Sequence, residues 1–174
     1  MTPEQRRVRD AIISGPRGGL RGPLLAALHN PELADKWQQL GELLRYRTSL
    51  APRHSELAIL ATARHWSCQF EWFAHEPLAR AGGVPGVVIE AIRHGRRPGF
   101  EDADDENVYQ FTTELHRAHF VSEAAYARAL KRFGVNGVVE LTALCGYYGM
   151  VAMTLNAHQL PLPEGVPPPL PTLK

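Results

Sequence analysis

The sequence has few of the features that mark secreted, metal-stabilised or membrane-spanning proteins. It holds 174 residues but only two cysteines, Cys68 and Cys145, which form neither a disulfide framework nor a structural zinc pattern. The N-terminal segment lacks the apolar core of a signal peptide, and no run approaches the roughly 20 apolar residues of a spanning helix. These absences predict a cytoplasmic protein without a membrane partner.

The sequence also lacks an excess of charge of one sign. Its formal net charge at pH 7 is +1, which gives no electrostatic reason to expect nucleic acid as a partner. A hydrophobic content of 44% with 21% charged residues is typical of a globular protein. The length is sufficient for one domain with a sizeable core.

Alternating, strand-like runs are nearly absent, and apolar residues recur at helical spacing almost throughout the chain. This pattern predicts an all-α, single-domain fold of about eight helices over residues 1–160. Capping residues, prolines and glycines set the boundaries of the predicted helices. They are 2–14, 31–46, 52–66, 68–82, 85–95, 104–119, 122–133 and 136–158, with a further short turn of helix left open at 23–29.

The C-terminal part of the chain carries two distinct features. The last predicted helix is apolar on nearly every face, which predicts a long helix buried all round, in a core or at a subunit interface. Gly146 and Gly149 would let another helix approach closely, and Glu140 needs a partner if it is buried. Residues 161–174 form a proline-rich tail that should run extended, as a disordered end or as an arm on a neighbouring subunit.

The segment SCQFEWFAHEP, which begins at Ser67, carries the candidate site. On a helix beginning just after Ser67, Glu71 lies about 60° and His75 about 20° from Cys68 around the axis, so all three share one face. Glu71 and His75 are four residues apart, which is close enough to hydrogen-bond. A carboxylate beside an imidazole orients the ring, which suits general acid–base catalysis. With Ser67 as the cap, Cys68 is the first helical residue, where the helix dipole favours a thiolate.

Each of these features also has a purely structural interpretation. Glu–His pairs are common on solvated helices, and a lone cysteine is usually a small core residue. Glu56 is a further candidate, although in one straight helix over 52–82 it would lie about 18 Å along the axis from Cys68. A break near 65–67 would fold the two halves into an antiparallel pair and return Glu56 to the site. Because an unbroken helix of this length is unusual, we predict the break.

These residues resemble the carboxymuconolactone decarboxylase and alkylhydroperoxidase D (AhpD) family. The thiol branch has a Glu, a CxxC twelve positions later, and a His four residues after the second Cys. This chain has Glu56, then Cys68, then Glu71 in place of the second cysteine, then His75. The decarboxylase branch has an aromatic residue before E-x-x-x-H, and FEWFAH resembles that form directly. The similarity in order and spacing covers about residues 20–165.

The resemblance implies an AhpD-like helical fold whose protomers assemble into dimers, trimers or hexamers, with active sites near subunit contacts and no metal or organic cofactor. His75 would be the acid–base group that protonates the carbon losing CO₂. Glu71 would orient His75 or share its charge, and Glu56 would support the ring from the neighbouring helix. Arg53 or Arg64 would bind the acid group of the substrate, although both are predicted surface residues.

The resemblance therefore favours a cofactor-free lyase that acts on a small carboxylated lactone or an aromatic ring-cleavage product. An alternative is an AhpD-like alkylhydroperoxidase, with peroxiredoxin-type activity at Cys68 and with Cys145 as resolving thiol only if the fold brings it there. A second alternative is a non-catalytic oligomeric binding protein. His116 and His119 are spaced for a metal but lack a third ligand, so no metal site is predicted.

Overall fold

The computed structural model describes residues 1–172, which form eight α-helices and no β-strand. The all-α prediction is therefore confirmed for this part of the chain. The turn left open at 23–29 is a helix, the predicted helices 122–133 and 136–158 are joined in one interrupted helix, and the ends of the other helices shift by at most two residues. The helices are α1 (Pro3–Ser14), α2 (Pro23–Ala27), α3 (Pro31–Tyr46), α4 (Pro52–His65), α5 (Gln69–Ala81), α6 (Gly86–Arg93), α7 (Ala103–Ala118) and α8 (Glu123–Ala157).

Local capping explains where several helices begin. The side chains of Thr2, Asn30, Asp102 and Ser122 accept hydrogen bonds from backbone amides in the first turns of α1, α3, α7 and α8. These bonds satisfy amide groups that have no partner inside the helix. Proline occupies the first turn of α1 to α4, where its missing N–H removes no helical hydrogen bond.

Helix α4 is the central element of the core. Every residue from His54 to Arg64 is buried, and α4 packs extensively against α5, α7 and α8. Glu56 on α4 and both Glu71 and His75 on α5 are buried, where a polar side chain depends on protein partners rather than water.

The prediction of a long, buried C-terminal helix is confirmed in part, because α8 is partly buried within the chain and exposes one side. Val135 is 69% exposed, Val139 61% and Met153 47%, while the opposite side packs against α4 and α7. An apolar pattern on every face does not say which face a single chain covers. Glu140 is half-buried and does have a partner, since its Oε2 accepts a hydrogen bond of 2.8 Å from the amide of Ser49.

A break at Gly134 divides α8 where the sequence predicted one helix to end and another to begin. Gly134 has φ 66° and ψ 178°, a conformation open to glycine and costly for residues with a Cβ atom. Gly83 and Gly95, which follow α5 and α6, also have positive φ values, of 92° and 67°.

By length and composition, α8 alone among the helices of residues 1–172 would be able to cross a membrane. Of its apolar window, 56% is buried inside the structure, and a helix of a protein core meets the same criteria. The feature is therefore weak evidence for a membrane span.

The predicted break between the two site helices is confirmed. Helix α4 ends at His65, and Ser67 adopts the left-handed conformation with φ 49°. The amide of Cys68 donates to the carbonyl of Ala63 at 2.9 Å, and the amide of Ser67 donates to Arg64 at 3.1 Å. This pairing is a Schellman motif, which terminates α4 and allows α5 to return alongside it.

Within the described residues, the proline-rich tail packs against the rest of its own chain. Residues 161–172 contain turns but no helix, and Leu170 is buried. The amide of Leu170 donates to the Gln69 side chain at 2.8 Å, and Gln69 Nε2 donates to the Leu170 carbonyl at 3.0 Å. The tail therefore contacts the start of α5. The last two residues of the predicted tail, Leu173 and Lys174, lie outside the described residues.

Candidate active site

A cavity of about 470 Å³ lies between α2, α3, α5 and α8 and is closed on one side by the loop before α2. One wall is formed by α5, the opposite wall by α8, and Pro163 of the tail also reaches it. The polar residues at its wall come from four separate segments of the chain. They include Arg17, Arg21, Arg45, Glu71, His75 and Tyr148.

His75 is held by Glu56 from the neighbouring helix. Nδ1 of His75 lies 2.7 Å from Oε2 of Glu56, and both side chains are buried. An ionised carboxylate only accepts hydrogen bonds, so Nδ1 carries the hydrogen and Nε2 is the nitrogen left for a ligand. The ring of Tyr148 packs against the imidazole edge to face, with 4.9 Å between ring centroids. The structure thus brings Glu56 and His75 together, as the predicted break requires.

The predicted hydrogen bond between Glu71 and His75 is not formed. Glu71 is 1% exposed, and both of its carboxyl oxygens lack a hydrogen-bond partner among residues 1–172. Burial raises the pKa of Glu71 well above its usual value of 4.5, because water no longer stabilises the charged form. A neutral carboxyl group at the cavity wall can donate a hydrogen bond to a ligand, which is a different role from orienting the imidazole.

The prediction of a thiolate at Cys68 is wrong. Cys68 is the N-cap of α5 rather than its first helical residue, and it is 1% exposed. Burial is the main cause that raises the pKa of its thiol to about 12. Cys145 donates a hydrogen bond to Thr112 on α7, and burial raises its pKa to about 11. Both cysteines are free thiols and neither lines the cavity.

The two arginines that the sequence suggested for substrate binding lie elsewhere. Arg53 donates hydrogen bonds to both carboxylate oxygens of buried Asp105 on α7. Arg64 is buried and lines a different cavity, between α4, α6 and α7. Both residues are close to the motif in sequence, but their faces of α4 point away from the cavity that α5 lines.

Three other arginines line the cavity, and sequence reasoning missed them. Arg17 and Arg21 come from the glycine-rich loop GPRGGLRGP, and Arg45 comes from the end of α3. The Nη2 atom of Arg17 donates to the hydroxyl of Tyr147 on α8 at 3.3 Å. The available signal was the presence of two arginines in a glycine-rich loop. Because these three arginines outnumber Glu71, the one acidic residue among the described residues that line the cavity, the cavity is positive overall.

No protein-family model matches this sequence, and a search of curated proteins gives no match either. Over the described residues, the chain is defined as an all-α protein with a positively charged cavity between α5 and α8. Any closer assignment depends on the chemistry of the residues in that cavity.

Proposed function

We propose that the protein is a cofactor-free lyase of the carboxymuconolactone decarboxylase type, with an AhpD-like helical fold. Its substrate is a small carboxylated lactone or an aromatic ring-cleavage product. The observation that carries the proposal is the pair of His75 and Glu56, joined at 2.7 Å, at the wall of a cavity with three arginines and with Glu71, whose pKa is raised by burial.

The charges of the cavity support an anionic substrate. Arg17, Arg21 and Arg45 attract carboxylates and hold them through directed N–H groups. A carboxylate placed at Glu71 and His75 meets a buried surface where Glu56 offsets the charge of a protonated His75, so it loses hydration with little net electrostatic gain. Loss of that carboxylate as CO₂ relieves this cost, whereas a substrate carboxylate at the arginines stays bound.

The proposed reaction begins with the loss of the carboxylate that lies beside Glu71 and His75. The bond between the carboxylate and its carbon breaks, CO₂ leaves, and the electron pair moves into the conjugated carbonyl as a dienolate. The imidazolium of His75 then transfers its Nε2 proton to the carbon and takes a replacement from water, so one proton is consumed for each CO₂ released. Glu56 holds the ring and balances its positive charge. Glu71 donates a hydrogen bond to the developing oxyanion.

The thiol peroxidase alternative has no observation in its favour. Peroxide reduction needs a thiolate as the attacking group. The pKa of Cys68 is raised to about 12, and its side chain is buried outside the cavity. Cys68 therefore supports α5 as a core residue in the proposed enzyme.

We also propose that the protein forms a homo-oligomer in the cytoplasm, with a small molecule rather than nucleic acid as its partner. Val135, Val139, Gly146 and Met153 lie within one exposed face of α8, beyond the break at Gly134. A Cβ atom at Gly146 would meet nothing within 4 Å, so this face leaves room for a helix of another protomer. Light scattering coupled to size exclusion gives the oligomer size, and a monomer at all concentrations contradicts this part of the proposal.

The lyase proposal is tested by CO₂ release from a panel of carboxylated lactones and related dienoic acids. We expect His75→Gln to lower kcat by roughly 100-fold or more, since proton transfer by a positioned group contributes at least that much. Cys68→Ser and the control His158→Gln, at an exposed histidine, should retain activity. Activity retained in His75→Gln contradicts the proposal. Binding without turnover for every acid in the panel favours the binding-protein alternative.

A further inference from the structure

A second cavity, of about 250 Å³, lies between α4, α6 and α7 and shares no residue with the candidate active site. Among residues 1–172, the titratable groups that line it belong to arginine, histidine and tyrosine, and no carboxylate lines it. The side chains with polar groups at its wall are Arg64, His65, Tyr109, Thr113, His116 and Arg117.

Arg64 is a buried cation without a matching anion among residues 1–172. It is 6% exposed, and its Nη atoms donate to the Ser67 hydroxyl and to the carbonyls of Arg93 and Pro171. Its Nε atom is buried and has no hydrogen-bond partner among residues 1–172, and no described carboxylate pairs with the guanidinium. Because a guanidinium keeps its charge when buried, this arrangement is costly unless an anion binds beside it.

Two histidines add hydrogen-bonding capacity at the same wall. The rings of His65 on α4 and His116 on α7 are stacked, with 5.0 Å between centroids and 19° between planes. Thr62 gives its hydroxyl hydrogen to the carbonyl of Ala58, so its oxygen accepts from Nε2 of His116 at 2.9 Å. Burial lowers the pKa of His116 to about 4, so at pH 7 its Nδ1 carries no proton and can accept a hydrogen bond from a P–OH group.

The hydrogen-bonding groups around the cavity are better suited to a tetrahedral than to a planar anion. Arg64 and His65 come from α4, whereas Tyr109, His116 and Arg117 come from α7. A phosphate group accepts hydrogen bonds from several directions at once, while a carboxylate is satisfied by one guanidinium in its own plane. Arginine with histidine, without any acidic residue, is the donor set that phosphate recognition uses.

We propose that this second cavity binds phosphate, as the free ion or as the phosphoryl group of a small metabolite. Arg64 donates its free Nε–H from the buried end of the cavity, and Arg117 donates from the exposed end. The imidazoles of His65 and His116 complete the site. The proposal is independent of the lyase activity, because it concerns different residues and a different ligand.

The test is a titration of the full chain with inorganic phosphate at pH 7, with sodium chloride holding the ionic strength constant. The Cε1–H resonances of the histidines are followed by NMR, since His65 and His116 report on the second cavity and His75 reports on the candidate active site. We expect saturating shifts of His65 and His116 that give one dissociation constant. The Cε1–H chemical shift of His75 should not change with phosphate concentration along the same binding curve.

Two substitutions make the test specific to the second cavity. Arg64→Gln and Arg117→Gln should each weaken phosphate binding roughly tenfold or more, the loss expected when a charge-assisted hydrogen bond is removed. Arg64→Gln also removes the hydrogen bond to the carbonyl of Pro171 and so could impair folding. Arg117 is exposed, so Arg117→Gln remains informative in that case. Arg47→Gln removes the same charge from an exposed position that lines neither cavity, and it should bind phosphate like the parent chain.

The proposal is overturned by any of three results. The first is the absence of saturating shifts at His65 and His116. The second is an equal response to chloride alone, which would indicate screening rather than binding. The third is an unchanged dissociation constant in Arg117→Gln when that variant is folded. None of these results depends on whether the chain decarboxylates any substrate.

Discussion

The hydroxyl of Tyr147 lies 3.3 Å from Nη2 of Arg17, and both groups pack directly over the bare Cα of Gly41. Tyr147 is on α8, Gly41 is on α3, and Arg17 is in the loop before α2. Three distant segments therefore hold one guanidinium at the wall of the candidate active site. A Cβ atom at Gly41 would overlap with both the phenol and the guanidinium.

We expect Gly41→Ala to displace Arg17 and to weaken the binding of anionic ligands in the first cavity. Because the overlap also strains a packed contact, the free energy of unfolding should fall by about 1–3 kcal/mol. Urea denaturation measures the stability, and the KM for an anionic substrate or the Kd of an anionic competitor measures the binding. Gly99→Ala is the matched control, since a Cβ atom there meets nothing within 4 Å. Equal effects of the two substitutions would contradict the role assigned to Gly41.

Glu71 should make stability depend on pH in a definite direction. Burial raises its pKa well above 4.5 in the folded chain, so the folded state keeps a proton that the unfolded chain releases above about pH 4.5. Its contribution to stability is therefore full below that pH and declines as the pH rises toward the folded-state pKa. Glu71→Gln cannot ionise and removes this decline.

The free energy of unfolding of Glu71→Gln, relative to the parent chain, should accordingly increase between about pH 5 and pH 8. Chemical denaturation at several pH values measures the difference. Glu164→Gln, at an exposed position of the tail, is the control and should give no such trend. Parallel curves for Glu71→Gln and the parent chain would mean that Glu71 is charged in the folded protein.

The thiol of Cys68 should be nearly inert in the folded protein. With its pKa raised to about 12, the thiolate is scarce at pH 8, and the side chain is buried. In a Cys145→Ser background, we expect iodoacetamide to modify Cys68 at least roughly 100-fold more slowly than in the urea-unfolded chain. Rapid modification of the folded chain at pH 7, together with consumption of hydrogen peroxide, would restore the peroxidase alternative.

Arg53 should stabilise the packing of α4 against α7 through Asp105. Asp105 is 1% exposed and accepts hydrogen bonds from Arg53 on both carboxylate oxygens. Arg53→Met leaves a buried carboxylate without its partner and should cost about 3 kcal/mol of unfolding free energy. Urea denaturation of Arg53→Met and of the double variant Arg53→Met with Asp105→Asn measures the coupling. The double variant should recover part of the loss, and a further loss of the same size would show that the two residues act independently.

The positions of the helices were predictable because the signals are local. The caps at Thr2, Asn30 and Ser122, and the glycine at 134, act within a few residues of the helix ends that they determine. The break at Ser67 was predicted only because one continuous helix over 52–82 would be unusually long. The left-handed residue there is a serine, so no glycine in the sequence indicated the turn.

The candidate site was predictable only in part. Helical spacing placed Cys68, Glu71 and His75 on one face of α5, but spacing does not say which of them meets a partner. His75 turns to Glu56 on α4, and Glu71 stays buried without a hydrogen bond among the described residues. The partner of each side chain depends on how α4 packs against α5, and the sequence of α5 alone does not give that packing.

By itself, the sequence determined the helical class, the helix boundaries and the residue types available for acid–base chemistry, because backbone propensity and capping act over short distances. The tertiary structure decided which of those residues share a cavity and which are charged. Desolvation raises the pKa of Cys68 and Glu71 through neighbours from several helices, and the arginines of the cavity come from segments outside the motif. Burial and charge are properties of the assembled chain, so the electrostatics of the site appear only once the helices have packed.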